Sequence, residues 1–179
     1  MMKRFMAGVL LGFAALPGSA LAQEGEKLDC VMMSVTPDLK ASIGAAMAGS
    51  GDDTSRDALF QQLSTITEGC VTRHGIAEDQ KGHYFDYSLA RISREWLITD
   101  LAKVNLAPSV VDTALDFGPS GANPDLSAAM SEDQIMTIVQ AYIDSGIDID
   151  KIDGALWEKV GAYAAATSIY WNKRKLLSF

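Results

Sequence analysis

Residues 78–104, EDQKGHYFDYSLARISREWLITDLAKV, decide the fold class. Phe85, Leu89, Ile92 and Trp96 recur at spacings of four, three and four, and Leu97, Leu101 and Val104 carry the stripe onward. That is the 3.6-residue period of a helix with one face turned to a core, and no Pro interrupts it. Arg91 and Glu95, four apart, are expected to pair on the outer side, where such a pair contributes a few tenths of a kcal/mol, about 0.3. The same stretch places Asp79, His83 and Asp86 at four- and three-residue spacing. A His between two carboxylates on one helical face is the arrangement of a poised base, so these three are the weak catalytic candidates.

Working outward, each neighbouring segment carries helix punctuation. Thr36-Pro37-Asp38 is a start signal: a capping hydroxyl, a Pro suited to the first turn and an acid facing the positive end of the dipole. Leu39, Ile43 and Met47 follow at four-residue spacing, and Gly49-Ser50-Gly51 ends that helix. A second helix is predicted from about Asp53-Thr54, with Leu59, Leu63, Ile66 and Cys70 on its apolar face. Cys30 is expected in a short helix or turn. Pro108-Ser109 opens a short helix, and Ser131-Glu132-Asp133-Gln134 is a capping box for another that carries Ile135, Ile138, Val139 and Tyr142. The last helix runs from about Asp150 to the tail. Gly118 to Pro124 is dense in breakers, so a flexible loop is expected near 118–125. The expectation is an all-α single domain over 23–179, a bundle of five to six helices tied by one disulfide.

Residues 1–22 have the layout of a secretory signal peptide. Lys3 and Arg4 precede an apolar run from Phe5 to Leu16, and Ala20-Leu21-Ala22 supplies small residues for cleavage. The run is too short to span a bilayer, which takes about 20 residues. The expected address is the periplasm of a Gram-negative bacterium. Two cysteines remain in the mature part, Cys30 and Cys70, and in an oxidising compartment a disulfide between them is the simplest reading.

Charge narrows the partners. The chain holds 15 Lys and Arg against 23 Asp and Glu, for a formal charge of −8. Loss of Lys3 and Arg4 with the leader takes it to −10, which disfavours nucleic-acid phosphates.

Motifs for chemistry are few. Asp144-Ser145-Gly146 matches the aspartic-protease triplet, but it closes a helical pattern where that chemistry needs two carboxylates in a β framework. Asp148, Asp150 and Asp153 with Gly154 are a weak metal candidate. The EF-hand register fails, because Gly154 at position six puts Ile149 at one and Val160 at twelve. No motif points to a cofactor. The tail is unusual: Tyr170 and Trp171 precede Lys173, Arg174 and Lys175, a basic-aromatic cluster able to meet an anionic membrane surface or an acidic partner.

The leading functional expectation is a non-catalytic interaction protein of the periplasm with a protein partner. Its contact surface is expected near Tyr84, Tyr87 or Tyr170-Trp171, with Met32, Met33, Met47, Met130 and Met136 partly available as adaptable lining. The alternative is a peripheral membrane or lipid-binding factor using the tail. A hydrolase built on Asp79, His83 and Asp86 ranks third.

Overall fold

The computed structural model describes residues 18–179 as seven α-helices, with no strand among the described residues. They are α1 (Gly18–Ser34), α2 (Pro37–Met47), α3 (Asp53–His74), α4 (Lys81–Ala102), α5 (Pro108–Ala114), α6 (Glu132–Asp144) and α7 (Gly154–Leu176). Most of the expected signal peptide, residues 1–17, lies outside the described residues.

The caps explain the boundaries. Thr36 Oγ1 accepts from Leu39 N (3.3 Å), and Asp52 accepts from Ser55 N (2.7 Å), so α3 starts at Asp53 as expected. Ser131 and Gln134 cap each other's backbone at 3.2 and 2.8 Å. Asp153 accepts from Leu156 N at 2.8 Å, so α7 starts at Gly154, later than Asp150. Gly75 closes α3 at φ +59°, a left-handed stop open to Gly at little cost.

The class is all-α, and the helix count is seven where five to six were expected. The difference is α1. Cys30 sits in a long helix, not a short turn, because Val31, Met32 and Val35 bury against the first core and the Cys30–Cys70 disulfide ties that helix to α3. Tertiary packing overrides the weak local pattern around Gly25.

α4 and α7 form an antiparallel central pair. Asp86 meets Lys173, Tyr87 stacks on Tyr170, Arg94 reaches Thr167 and Asp100 meets Lys159, so positions rising along α4 match positions falling along α7. Two cores hang on this pair. The first gathers α1, α2, α3 and the start of α4, with Leu177 and Phe179 folded onto it. The second gathers the end of α4 with α5, α6 and the start of α7.

The α4 stripe is wider than its sequence reading. Tyr84, Tyr87, Ala90, Ser88 and Ser93 are buried, and Val104 is exposed. The two serines tolerate burial because each hydroxyl donates to the carbonyl four residues back, Ser88 to Tyr84 and Ser93 to Leu89, both at 2.8 Å. Arg91 does pair with Glu95 (3.0 Å), yet it also reaches Asp29 (2.6 Å) and the Leu28 carbonyl, so it clamps α1 to α4 instead of decorating a free face. Burial alone would lower the Arg91 pKa. The hydrogen bonds to Asp29 and Glu95 outweigh it and raise it.

Gly118 to Pro124, expected as a flexible loop, is densely bonded. Buried Asn123 donates to the Gly118 and Gly121 carbonyls (2.8 and 2.7 Å) and accepts from Gly118 N (3.0 Å). Ala122 N reaches Asp116, and Ser168 and Asn172 of α7 bond Pro124 and Asn123 carbonyls. The breakers here make tight turns against α7.

Candidate functional site

The three weak catalytic candidates lie at the entry to α4. Asp79 lies exposed in a 3-10 turn (Glu78–Gln80) before α4, outside the helix that carries His83 and Asp86. Asp86 is turned to Lys173 of α7 at 2.7 Å. Of the metal candidates, Asp148 pairs with Lys151 (2.9 Å), Asp153 caps α7, and Asp150 is exposed. Among the described residues no three His, Cys, Asp or Glu side chains converge to hold a metal ion. Asp144-Ser145-Gly146 is the end of α6, with Ser145 Oγ donating to the Tyr142 carbonyl and Gly146 at φ +85°.

The basic-aromatic tail packs in part against the bundle. Tyr170 stacks on Tyr87 with ring centroids 5.2 Å apart and meets Trp171 edge-on at 4.8 Å. Lys173 pairs with Asp86, Arg174 with Glu24 of α1, and Lys175 alone is exposed. Tyr84 and Tyr87 are fully buried, and the Tyr84 hydroxyl donates to the Lys27 carbonyl at 2.5 Å. Tyr84 and Tyr87 are therefore part of the core, and Tyr170 and Trp171 are half-buried against it. Their aromatic character reflects core packing.

Sequence reasoning missed a polar cluster that joins α4, α5 and α7. Arg94 donates to Asp112 (3.1 Å), the Tyr163 hydroxyl (3.0 Å) and Thr167 (3.1 Å), and Tyr163 donates to Asp112 at 2.7 Å. The guanidinium also lies over the Tyr163 and Tyr170 rings. Burial, opposed in part by the Arg94 charge, raises the Tyr163 pKa. Every member is paired, so the cluster locks three helices together. Its partners stand 18 to 73 residues apart in the chain, and no local signal marks them.

The exposed apolar surface is on α6. Ile138 and Tyr142 enter the second core, while Ile135 (45% exposed), Met136 (58%) and Ile143 (42%) face solvent. Val139, half-buried, joins them across the helix. The face continues into a groove of about 450 Å³ between α6 and α7, lined by Met130, Ile138, Trp157 and Gly161 among others. The remaining large exposed apolar residues, Met33, Val104 and Leu176, stand on three different stretches of chain. Single apolar residues are ordinary on a surface, whereas three on one short helix beside an apolar groove are a patch. The sequence signal was present: α6 has apolar residues at 135, 136, 138, 139, 142 and 143, an arc broader than one core contact needs.

A smaller cavity of about 270 Å³ lies over the α4–α7 pair, where Ala162, Ala165 and Ala166 leave room, with Asp86 and Lys173 among its lining residues. None of the described helices is long and apolar enough to cross a membrane.

No family model matches the chain, and no curated protein or solved structure is significantly similar to it. What fold and surface define is a class: a disulfide-tied all-α chain with, among the described residues, an apolar face of α6 left open.

Proposed function

We propose that this chain is an exported, non-catalytic interaction protein that meets its protein partner through the open face of α6. The observation that carries the reading is the exposure of Ile135, Met136 and Ile143 on one helix, beside the apolar groove closed by Trp157. A helix face of this kind recognises another protein by burying apolar area, at about 25 cal/mol per Å² before the costs of association. Export to the periplasm is supported by the leader-like composition of residues 1–22 and by a disulfide that suits an oxidising compartment. The peripheral-membrane alternative is not carried forward, because Lys173 and Arg174 are engaged by Asp86 and Glu24.

The test compares the wild-type chain with Ile135→Ser/Met136→Ser in the producing cells, using cross-linking, affinity capture and mass spectrometry. Surface changes of this kind shift stability by no more than about 0.5 kcal/mol, so both proteins should melt alike. The expected result is one stoichiometric partner that the double variant recovers at roughly a tenth of the yield or less. Equal recovery by both proteins, or no partner for folded, exported wild type, would overturn the reading.

A further inference from the structure

The apolar face of α6 has a charged frame of one sign. Between Lys103 and Lys151 the chain contains no Lys, Arg or His, and it contains eight Asp or Glu. Four of these are engaged within the fold, Asp112 by Arg94, Asp148 by Lys151, Asp116 by the Ala122 amide and Asp125 by the Ser127 amide. Others border the open face. Glu132 stands one turn before Ile135 and Met136. Asp133 and Asp144 line the shallow depression on the Met136 side, and Glu158 lines the groove on the opposite side. Among the described residues no Lys or Arg forms an ion pair with any of these four.

We infer that the occupant of this face is a cationic amphipathic helix of a partner protein, apolar along one stripe and flanked by Lys or Arg. The inference rests on the reading of α6 as the contact surface and adds the partner's chemistry. An apolar helix seated between α6 and α7 would place its flanking residues at the two acidic borders. Opposite charge there speeds encounter and fixes register, and an acidic partner is rejected. The same frame argues against a second copy of this chain. A symmetric pairing through α6 would bring Glu132, Asp133 and Asp144 of one copy against the same acids of the other. Met130 and Met136, unbranched and polarizable, suit a groove that adapts to the side chains it receives.

The probe is a helical peptide of roughly 18 residues made of Leu and Lys in amphipathic order, titrated against the full disulfide-bonded protein and followed by calorimetry. Two control peptides accompany it, one with every Lys replaced by Glu and one with the Leu/Lys composition scrambled. The expected result is binding of the ordered Leu/Lys peptide that weakens as salt rises. The scrambled peptide, and the Ile135→Ser/Met136→Ser protein, should each bind at least about tenfold more weakly. Glu132→Gln/Glu158→Gln should weaken binding by roughly threefold to tenfold through a slower association rate. The Leu/Glu peptide should not bind. Equal binding of the scrambled peptide would reduce the effect to bulk charge and overturn the inference, as would binding of the Leu/Glu peptide or silence of all three. A dimer through α6 in sedimentation would overturn it too. A cellular partner that depends on Ile135 and Met136 but presents an acidic contact helix would sink the cationic assignment while leaving the α6 surface standing.

Discussion

Gly44 of α2 and Trp96 of α4 are in contact so close that a Cβ on Gly44 would lie 2.2 Å from the Trp96 Cγ. Both atoms cannot occupy that space, so the crossing of α2 over α4 depends on the missing side chain. Gly44→Ala should cost about 1–3 kcal/mol through overpacking, even though Ala is the better helix former. Thermal unfolding followed by circular dichroism checks it, and an unchanged or raised melting temperature would contradict the packing described.

Asn123 is the keystone of the 118–124 turn. It is buried, sits at φ +49° and satisfies three backbone groups through its amide. Asn123→Ala strands the Gly118 amide, removes two carbonyl contacts and should lower stability by about 1–3 kcal/mol. Amide hydrogen exchange at Gly118 should accelerate in the variant. Slow exchange retained there would show that the turn holds without Asn123.

The disulfide should matter more than any single contact. Cys30 and Cys70 are 40 residues apart in the chain, with Cα atoms 5.9 Å apart. Closing such a loop stabilises by roughly 4 kcal/mol in the chain-entropy account. Cys30→Ser/Cys70→Ser should therefore unfold at markedly lower denaturant, with α1 losing protection first. A midpoint equal to that of the oxidised protein would contradict this.

Stability should fall at both ends of the pH range, for different reasons. At the acid end, the hydrogen bond from Lys159 (2.7 Å), helped by Lys103, holds the Asp100 carboxyl below its ordinary value of 3.8. The unfolded chain then takes up this proton more readily, so the contribution is full above about pH 4 and is lost as pH falls through the folded pKa. Asp100→Asn should flatten that limb. At the alkaline end, burial pushes Tyr84 and Tyr142 up to about 12 and raises Tyr87 and Tyr163 as well. The folded state keeps protons that the unfolded chain releases above its ordinary 10, so stability declines as pH rises from there. Urea unfolding across pH measures both limbs. Phenolate absorbance from these four tyrosines should appear together with loss of helix, and its appearance in a still-helical protein would contradict their burial.

The fold was legible where the signal was local. Thr36, Ser131 and Gln134 cap as their spacing predicts, and Cys70 shares a face with Leu63 on the way to Cys30. α1 was not legible, because its stability comes from α3, α4 and the disulfide more than from its own residues. The same limit hid the role of the aromatic residues. Tyr84, Tyr87 and Tyr170 looked like surface anchors, but nothing in a linear pattern shows that α7 runs back along α4 and covers them. On α6 the period located the helix, and Ile135 shares the apolar arc but faces outward. Periodicity gives a face, and only the packing of neighbours decides which edge of it stays open.

The most direct measurement places a photoreactive benzophenone residue at Met136, and separately at exposed Gln61 of α3, in the chain expressed in its own cells. Irradiation at position 136 should give one discrete cross-linked species that position 61 does not give. Identical patterns at the two positions, or no adduct at 136 from folded protein, would contradict the central claim that α6 is where this protein meets its partner.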